Sequence, residues 1–181
     1  MSDSGDLSDA ELCSEVAAGD ERAMRVLYER HHRSVEAFAR NRLRDSALVA
    51  DIVHDVMIDV WRKPEAFAGR SSFRTWLFTL TRNKVVDALR KTGRIDYGDE
   101  GMDLVDDRPL ADDIVQAAQD RERMRACIEG LSGAHRSAIQ LTFFEGLTVT
   151  EAAEVEDVPP GTIKTRIFHA KKLLAACLGA R

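Results

Sequence analysis

An acidic stretch interrupts the chain near its middle and limits the size of any domain that this sequence can build. Residues 93–113 read GRIDYGDEGMDLVDDRPLADD, with three glycines, one proline and no helical apolar period. Residues 93–120 contain nine acidic residues and two arginines, and such a block of like charge is typical of a solvent-exposed linker. The sequence therefore predicts two small domains, over residues 10–92 and 121–178, joined by an acidic flexible linker over residues 93–120.

Apolar residues recur at helical spacing before this linker, and no useful length alternates with the period of two that marks a strand. The clearest run ends at Pro64, because a helix interior does not tolerate proline. Its apolar face consists of Val49, Ile52, Val53, Val56, Met57, Val60 and Trp61. Further runs predict a first helix from Leu12 to Leu27 that is interrupted near Gly19, a separate helix over residues 35–43, and another over residues 73–90.

The part after the linker predicts further helices, the last two of which form a recognisable pair. Thr150 is the predicted cap of a short helix over residues 151–156, residues 157–159 form a tight turn, and Pro160 opens the final helix. Two helices joined by a short turn, the second with a basic outer face, are typical of a helix-turn-helix. The predicted fold class is therefore all-α, with two small helical domains and a helix-turn-helix in the C-terminal one.

The composition excludes several classes of protein. With 181 residues, 44% of them hydrophobic and 31% charged, the chain has the character of a globular protein. No apolar run approaches the roughly 18 residues that suggest a bilayer span. The N-terminus, MSDSGDLSDAEL, lacks the basic start and apolar core of a signal peptide. We therefore expect a cytoplasmic protein without membrane insertion.

Cysteine and histidine positions give no sign of a metal site or of catalysis. Cys13, Cys127 and Cys177 are odd in number, far apart and outside any CxxC motif, so we expect small buried hydrophobic residues rather than disulfides or zinc ligands. The five histidines are predicted to lie on different faces, and no Gly-rich phosphate loop, HExxH or GxSxG motif occurs. We expect no enzyme, catalytic residue, metal, cofactor or small-molecule ligand.

The net charge of −5 is distributed unevenly along the chain. Residues 1–21 carry seven acids and no Lys or Arg, and residues 93–120 carry a net −7, which leaves +9 on the remaining segments. A partner senses charge within about a Debye length, roughly 10 Å. The chain therefore retains basic surfaces that suit a polyanion despite its overall acidity.

The outer face of the final helix predicts a contact with double-stranded DNA. An α-helix fits the major groove, short side chains near its N-terminal end reach base edges, and Lys or Arg farther along contact phosphates. A solvated basic face is the alternative interpretation. An exposed Phe168 beside Lys164 and His169 favours the DNA interpretation, since such a ring suits a thymine methyl better than water.

Two segments of the N-terminal domain carry further polar chemistry. Residues 70–91, RSSFRTWLFTLTRNKVVDALRK, combine aromatic and basic side chains of the kinds that hold unpaired bases and follow a nucleic-acid backbone. Core packing explains the aromatics as well, but Asn83 between two basic residues favours a single-strand surface. In ADIVHDVMIDVWRK, Asp51, Asp55 and Asp59 repel one another on one face, which predicts a partner-protein surface, with a solvated face as the alternative.

Together these segments resemble the bacterial sigma factors of the extracytoplasmic-function group, over about residues 10–178 and in the family order of region two, acidic linker and region four. ADIVHDVMIDVWRK resembles the helix that grips the clamp helices of the largest RNA polymerase subunit. SSFRTWLFTLTRNKVVDALRK resembles the minus-ten recognition and melting segment, and LSGAHRSAIQLTFFEGLTVTEAAEVEDVPPGTIKTRIFHAKKLL resembles the minus-thirty-five reader. The resemblance implies a factor that directs core RNA polymerase to specific promoters and is held by an anti-sigma factor until a stress or envelope signal.

The resemblance also implies the residues of each contact. Those that face the minus-thirty-five element are Thr162, Lys164, Thr165, Arg166, Phe168, His169 and Lys172. Those that contact the minus-ten element are Ser71, Ser72, Phe73, Arg74, Trp76, Arg82, Asn83 and Lys84. Those that bind core polymerase are Asp51, His54, Asp55, Ile58 and Asp59, with the polymerase flap as a further contact.

Several positions depart from the family pattern. His54 stands where the family often has Gln, and His169 replaces a more common Arg. Glu156 and Asp157 replace the frequent Leu-Gly before the turn, and Pro159 replaces a usual capping residue. Because Asp tolerates a left-handed backbone better than most residues, we expect the turn itself to be kept.

Other functional classes account for part of the sequence. A stand-alone helix-turn-helix regulator that binds an operator as a dimer predicts a palindromic site and leaves the basic region around Trp76 unexplained. A helical scaffold that binds only protein leaves both nucleic-acid surfaces unexplained, and a metal sensor built on His31, His32 and a cysteine has the least support. A sigma factor instead predicts two unlike DNA elements and weak DNA binding by the isolated protein.

Overall fold

Eight α-helices make up most of the described part of the chain. The structure is a computed structural model and describes residues 7–91 and 118–179. The helices are α1 Asp9–Ala17, α2 Glu21–Arg40, α3 Ser46–Arg62, α4 Phe73–Lys91, α5 Ala118–Glu129, α6 Gly133–Ile139, α7 Val149–Glu156 and α8 Pro160–Gly179. No strand occurs among the described residues, which confirms the predicted all-α fold class. None of the described helices is long and apolar enough to cross a bilayer.

Helices α1 and α2 open the first unit, each with its own N-terminal cap. Ser8 and Glu11 form a reciprocal capping box at α1, and the Asp20 carboxylate accepts hydrogen bonds at the start of α2. Gly19 lies between them with φ +92°, which confirms the predicted interruption. The separate helix over residues 35–43 is a wrong prediction. Residues 35–40 continue α2, because no glycine or proline stands between Leu27 and this segment.

Helices α3 and α4 complete the first unit where the sequence predicts them. Helix α3 ends at Arg62, just before Pro64, and α4 covers the predicted segment from Phe73. Their inner faces share one core with α1 and α2. Its most deeply buried members, each at most 1% exposed, include Leu12, Ala23, Leu27, Val35, Val49, Val56, Val60, Leu77 and Val85.

A buried histidine ties α1 to α2. His31 is 3% exposed, and its Nε2 lies 2.9 Å from an oxygen of the Asp9 carboxylate. The Arg30 guanidinium donates to the other oxygen at 2.9 Å. The hydrogen bond with His31 is the largest cause that lowers the pKa of Asp9, from 3.8 to about 2, against the opposing effect of burial. The ionised carboxylate therefore stabilises the junction between the two helices.

Asp9→Asn is expected to lower the free energy of unfolding by about 1 kcal/mol at pH 7, since a pKa unit is worth about 1.4 kcal/mol and solvent screens part of the shift. The pKa of Asp9 is lower in the folded state than in the unfolded state. The stability that Asp9 contributes is therefore fully present above pH 3.8 and is lost as the pH falls towards 2. Urea unfolding at several pH values measures it. The Glu15→Gln variant is the control, because Glu15 is an exposed residue of the same helix. If the difference in unfolding free energy between the parent and Asp9→Asn does not become smaller as the pH falls, Asp9 is not the source of this stability.

Helices α5 to α8 form the second unit. The predicted linker boundary shifts slightly, because the last three residues of 93–120 form the first turn of α5, and the rest of the linker up to residue 117 lies outside the described residues. Helix α6 passes into a wider π-helical turn over Gln140–Phe144. Gly146, with φ +71°, then redirects the chain towards α7.

Helices α7 and α8 form the predicted helix-turn-helix, with one correction to its start. The cap of α7 is Thr148 rather than Thr150, because Thr148 forms a capping box with Glu151 three residues later. Asp157 closes the turn in the left-handed conformation with φ +56°, which bears out the expected tolerance of Asp at this position. Helix α8 begins at Pro160, as predicted.

The structure contradicts the prediction that all three cysteines are isolated and buried. Cys127 of α5 and Cys177 of α8 form a disulfide across 50 residues of sequence, and Cys177 lies on the surface. Their spacing did not indicate the pair, since only the packing of the two helices brings them together. Cys13 is buried as predicted, its Sγ lies 3.6 Å from the Pro64 carbonyl oxygen, and burial raises the pKa of its thiol.

The two units pack directly on each other. Phe38 of α2 and Phe78 of α4 are both 0% exposed, with ring centroids 5.4 Å apart. They belong to one apolar cluster with residues of the second unit. Those residues are Leu141, Leu147, Ala152, Ala153, Val155 and Ile163. The helix-turn-helix therefore lies against the first unit.

Candidate nucleic-acid interface

Helix α8 divides into a buried face and a basic outer face. Ile163 and Ala170 are both 0% exposed and pack the first half of the helix against the rest of the second unit. Lys164 and Lys172 are exposed, and Thr162, Thr165 and Phe168 are partly exposed. These five predicted minus-thirty-five residues thus share an accessible helix surface, although Phe168 is less exposed than the sequence predicts.

Two of the predicted minus-thirty-five residues point elsewhere. The Arg166 guanidinium lies 3.7 Å from the carboxylate of Glu156, and its side chain is only 14% exposed. The His169 ring packs 6.2 Å from that of His135, so these two histidines do not lie on different faces as predicted. Burial, followed by the neighbouring His169 and Arg166, lowers the pKa of His135. Arg166 and His169 are therefore turned towards neighbouring side chains of the second unit.

The predicted minus-ten residues surround the start and outer face of α4. Ser72, Arg74 and Asn83 are exposed, and Ser71 and Arg82 are partly exposed. The Ser72 hydroxyl lies 2.8 Å from that of Thr75 and accepts a hydrogen bond from the backbone N–H of Thr75, in the first turn of α4. This surface has the Ser-rich loop and the Asn83 amide that the sequence indicated for holding an unpaired base.

Two aromatic residues of this segment behave differently from each other. Phe73 is 4% exposed and packs against His31, Phe67 and Trp76, so in this structure its ring belongs to the core and is not available for stacking on a base. The burial of Phe73 agrees with the core-packing alternative for these aromatics, since a helical aromatic side chain near an apolar cluster gains by burial, and its contact with the minus-ten element stays a prediction. Trp76 is partly exposed and borders the same cluster.

The second unit occupies part of the minus-ten surface. The Arg74 guanidinium donates to the Glu145 carbonyl oxygen at 2.8 Å, and the Thr75 hydroxyl donates to the Glu151 carboxylate at 3.2 Å. The Arg82 guanidinium donates to the Glu156 carbonyl oxygen at 3.3 Å and lies 3.7 Å from the Asp157 carboxylate. Two predicted DNA contacts of α4, Arg74 and Arg82, are therefore occupied by groups of the second unit.

A buried ion pair lies at the centre of this interdomain contact, by which we mean the surface between α2 and α4 of the first unit and α6 to α8 of the second. Arg42 pairs with Glu156, whose side chain is 3% exposed. Asn41 donates to Gln140 at 2.5 Å nearby. The backbone also approaches closely, since a Cβ on Gly133 would lie 3.0 Å from the Asn41 carbonyl oxygen. Charge, hydrogen bonds and close packing thus hold the two units together.

The pairing of Arg42 with Glu156 was not predicted from the sequence. They stand 114 residues apart, so no spacing rule connects them. The available signal was Glu156 itself, an acid at a position next to the turn where the family frequently has leucine. An acid at an apolar position of a helix needs a buried partner, because an unpaired buried charge is strongly destabilising.

The face of α3 predicted to bind polymerase is accessible. Asp51, His54 and Asp55 are exposed, and Ile58 is partly exposed. Asp59 instead lies 2.6 Å from the Lys84 ammonium of α4, which offsets part of the repulsion among the three acids. Lys84, a predicted minus-ten residue, is thus held against α3. Among the described residues no group of three or more His, Cys, Asp or Glu is placed to hold a metal ion.

Comparison with known proteins gives matches over both units. The family model described as Sigma-70 region 2 matches residues 27–95, and that described as Sigma-70, region 4 matches residues 121–174. The ECF RNA polymerase sigma factor RpoE of Cereibacter sphaeroides is 34% identical over 82% of this chain and 82% of its own. The ECF RNA polymerase sigma factor SigL of Mycobacterium tuberculosis is 29% identical over 91% of this chain and 94% of its own.

Two solved structures share the fold. CnrH in complex with the cytosolic domain of CnrY is 26% identical with a TM-score of 0.63, over 95% of this chain and 97% of that chain. The sigma factor RpoE of Bartonella quintana, solved with the anti-sigma factor NepR, is 27% identical with a TM-score of 0.60, over 82% of this chain and 92% of that chain.

Proposed function

Because this chain belongs to the extracytoplasmic-function (ECF) sigma factors of RNA polymerase, we propose that it directs the core enzyme to promoters through the two DNA surfaces described above. The observation that carries this proposal is the pairing of a single-strand surface on α4 with a helix-turn-helix in one chain. Two weak sites gain affinity when a common platform presents both at once. The chain is thus a transcription regulator, and its expected place of action is the cytoplasm.

We assign duplex recognition at the minus-thirty-five element to α8. Lys164, Lys172 and the partly exposed Thr162, Thr165 and Phe168 support this assignment, since they offer phosphate contacts and short side chains on one accessible face. Arg166 and His169 join them by turning away from Glu156 and His135, their neighbours within the second unit. The minus-ten contact belongs to the loop at Ser71 and Ser72 and to Asn83, with Arg74 and Arg82 following the strand backbone once they are released.

Polymerase binding falls to the exposed acids of α3. Asp51 and Asp55 remain without the compensation that Lys84 provides to Asp59, so a basic or polar partner relieves their mutual repulsion. The clamp helices of the largest polymerase subunit are the proposed partner of this face. The polymerase flap is the proposed partner of the second unit.

Control by an anti-sigma factor follows from the relatives. CnrH was solved with the cytosolic domain of CnrY and RpoE with the anti-sigma factor NepR, and this chain shares their fold over most of its length. We propose that an anti-sigma protein holds this chain until a stress or envelope signal releases it. The interdomain contact supports this proposal, because a partner that favours the closed arrangement keeps Arg74 and Arg82 away from DNA.

Run-off transcription with purified core RNA polymerase tests the proposed function. Adding the protein is expected to give transcripts from specific start sites, whereas the isolated protein should bind duplex promoter DNA only weakly. The control is a variant with Asp51 and Asp55 both changed to Lys, which should fold normally and lose core binding. A tight footprint of the isolated protein on a palindrome, without stimulation of core polymerase, would instead identify a stand-alone operator-binding regulator.

A further inference from the structure

The Cys127–Cys177 disulfide connects α5 to the end of α8, where few other side chains are fully buried. Of the α5 side chains that the structure describes, from residue 122 onward, only that of Cys127 is buried. In the last turns of α8 Leu173, Ala175 and Ala176 are exposed, and Leu174 and Leu178 are only partly buried. Beside the disulfide, the Arg123 guanidinium donates to the Leu178 carbonyl oxygen at 3.2 Å. Two thinly packed helix ends therefore depend on the Cys127–Cys177 bond.

The disulfide is accessible to solvent at Cys177 but not at Cys127. Cys127 is 8% exposed, whereas Cys177 is an exposed residue on the outer surface of α8. Neither cysteine takes part in the interdomain contact. The third cysteine differs in each respect, since Cys13 is 3% exposed in the core of the first unit and burial raises the pKa of its thiol. A soluble thiol therefore reaches Cys177 without unfolding either unit.

The compartment makes such a bond unusual. The proposed function, on which this step rests, places the chain beside RNA polymerase in the cytoplasm, where glutathione and thioredoxin keep thiols reduced. Disulfides of cytosolic proteins are usually transient, catalytic or redox-sensing rather than structural. An accessible disulfide at the end of a DNA-reading helix fits the redox-sensing class.

We propose that Cys127 and Cys177 form a redox-sensitive site, which cytoplasmic dithiols open, and that its opening loosens α5 and the last turns of α8. The thiolate of a dithiol attacks the Cys177 sulfur, the Cys127–Cys177 bond breaks, and Cys127 leaves as a thiolate that takes up a proton. The second thiol of the reductant then displaces Cys177 from the mixed disulfide. The protein gains two electrons and two protons, and the dithiol becomes a cyclic disulfide.

The consequence for DNA binding is confined to one end of α8. Ile163 and Ala170 are fully buried and hold the base-reading turns whatever the state of the bond. Lys171 and Lys172 follow Ala170 and precede Cys177 by less than two turns. Reduction therefore leaves the base-reading residues in place and weakens phosphate contacts made by these two lysines.

Thiol counting and hydrogen exchange on the full chain test the chemical and structural parts. Without a reductant, only the Cys13 thiol should react with a maleimide, and only after the chain is unfolded. After dithiothreitol treatment in native buffer, the Cys127 and Cys177 thiols should also react, and they should do so before unfolding. Amide exchange over residues 118–129 and 173–179 should then rise by about ten-fold or more, since local opening of thinly packed helix ends costs little. A bond that resists dithiothreitol until the chain unfolds, or unchanged exchange after its cleavage, would overturn the proposal.

Serine variants separate the bond from general effects of the reductant. The Cys127→Ser, Cys177→Ser double variant should exchange like the reduced protein and ignore dithiothreitol, whereas Cys13→Ser should respond like the parent. Affinity for a random-sequence 30-base-pair duplex at low salt is expected to fall by about three-fold to ten-fold on reduction, for the loss of one or two phosphate contacts. None of these measurements uses polymerase, so failure of the proposed function in run-off transcription is distinguishable from failure of this proposal. An affinity that is identical in both redox states would overturn the link to α8.

Discussion

Arg42→Glu is expected to separate the two helical units and to expand the protein in solution. The change places a second carboxylate beside Glu156, whose side chain is 3% exposed and pairs with Arg42 in the parent protein. Breaking a buried ion pair by removing one partner costs about 3–5 kcal/mol. Here the new carboxylate also repels Glu156, and among the described residues only Arg166, at 3.7 Å, is left to compensate its charge. That cost opposes the hydrogen bonds of the contact, at about 1 kcal/mol each, and the apolar burial of Phe38 and Phe78 in the shared cluster.

Small-angle scattering and the distance between fluorophores on the two units measure the separation. The radius of gyration and the distance should both increase in Arg42→Glu, and the Arg42→Glu, Glu156→Arg double variant should restore part of the compaction. Arg40→Glu is the matched control, since Arg40 lies two residues away and its side chain is 60% exposed in a surface pair with Glu36. Unchanged scattering and distance in Arg42→Glu, with helicity intact, would show that the ion pair does not hold the closed arrangement.

Separation should also activate the protein in transcription. Opening the contact releases Arg74 and Arg82 from the Glu145 and Glu156 carbonyl oxygens, so both guanidinium groups become available to DNA. We expect Arg42→Glu to form open complexes faster than the parent at limiting sigma concentration. The same variant should have a lower affinity than the parent for an anti-sigma factor that favours the closed arrangement.

Asn83→Ala is expected to reduce open-complex formation by about ten-fold to a hundred-fold while duplex recognition upstream stays intact. Asn83 is exposed on α4, and contacts that hold an extruded or single-stranded base are worth a few kcal/mol. Lys164→Ala, and to a lesser extent His169→Ala, should instead weaken binding of the upstream duplex, since both residues belong to α8. The two groups of variants therefore separate the two DNA surfaces.

A promoter template that is already melted around the minus-ten element distinguishes these roles. It should rescue much of the Asn83→Ala defect and leave the Lys164→Ala defect unchanged. Asp87→Ala is the control on the same helix, because Asp87 is exposed and lies in a loose surface pair with Arg90 at 3.7 Å. Trp76→Ala needs a stability measurement beside it, since Trp76 borders the core and its loss creates a cavity. Rescue of the α8 variants but not of Asn83→Ala would reverse the roles assigned to the two surfaces.

Local sequence determined where the helices lie and which residues interrupt or end them. Apolar spacing predicted α3 and α4, Gly19 predicted the break before α2, and Pro64 predicted the end of α3, since each acts through the backbone of its immediate neighbours. The left-handed turn at Asp157 belongs to the same class. The errors of this kind were also local. The sequence contained two candidate threonine caps for α7, and only Thr148 had a glutamate three residues later to complete a capping box.

Tertiary structure alone decided how the two units meet and what their meeting conceals. The Arg42–Glu156 pair joins residues 114 positions apart, and the Cys127–Cys177 bond joins residues 50 positions apart, so no periodicity relates the partners. The family resemblance implied Arg74 and Arg82 as DNA contacts, yet which group an arginine binds depends on the acceptors that packing brings to it. Helical periodicity specifies which face of each helix is buried, whereas the pairing of those faces is set by long-range shape and charge complementarity, which enters only when the chain is folded.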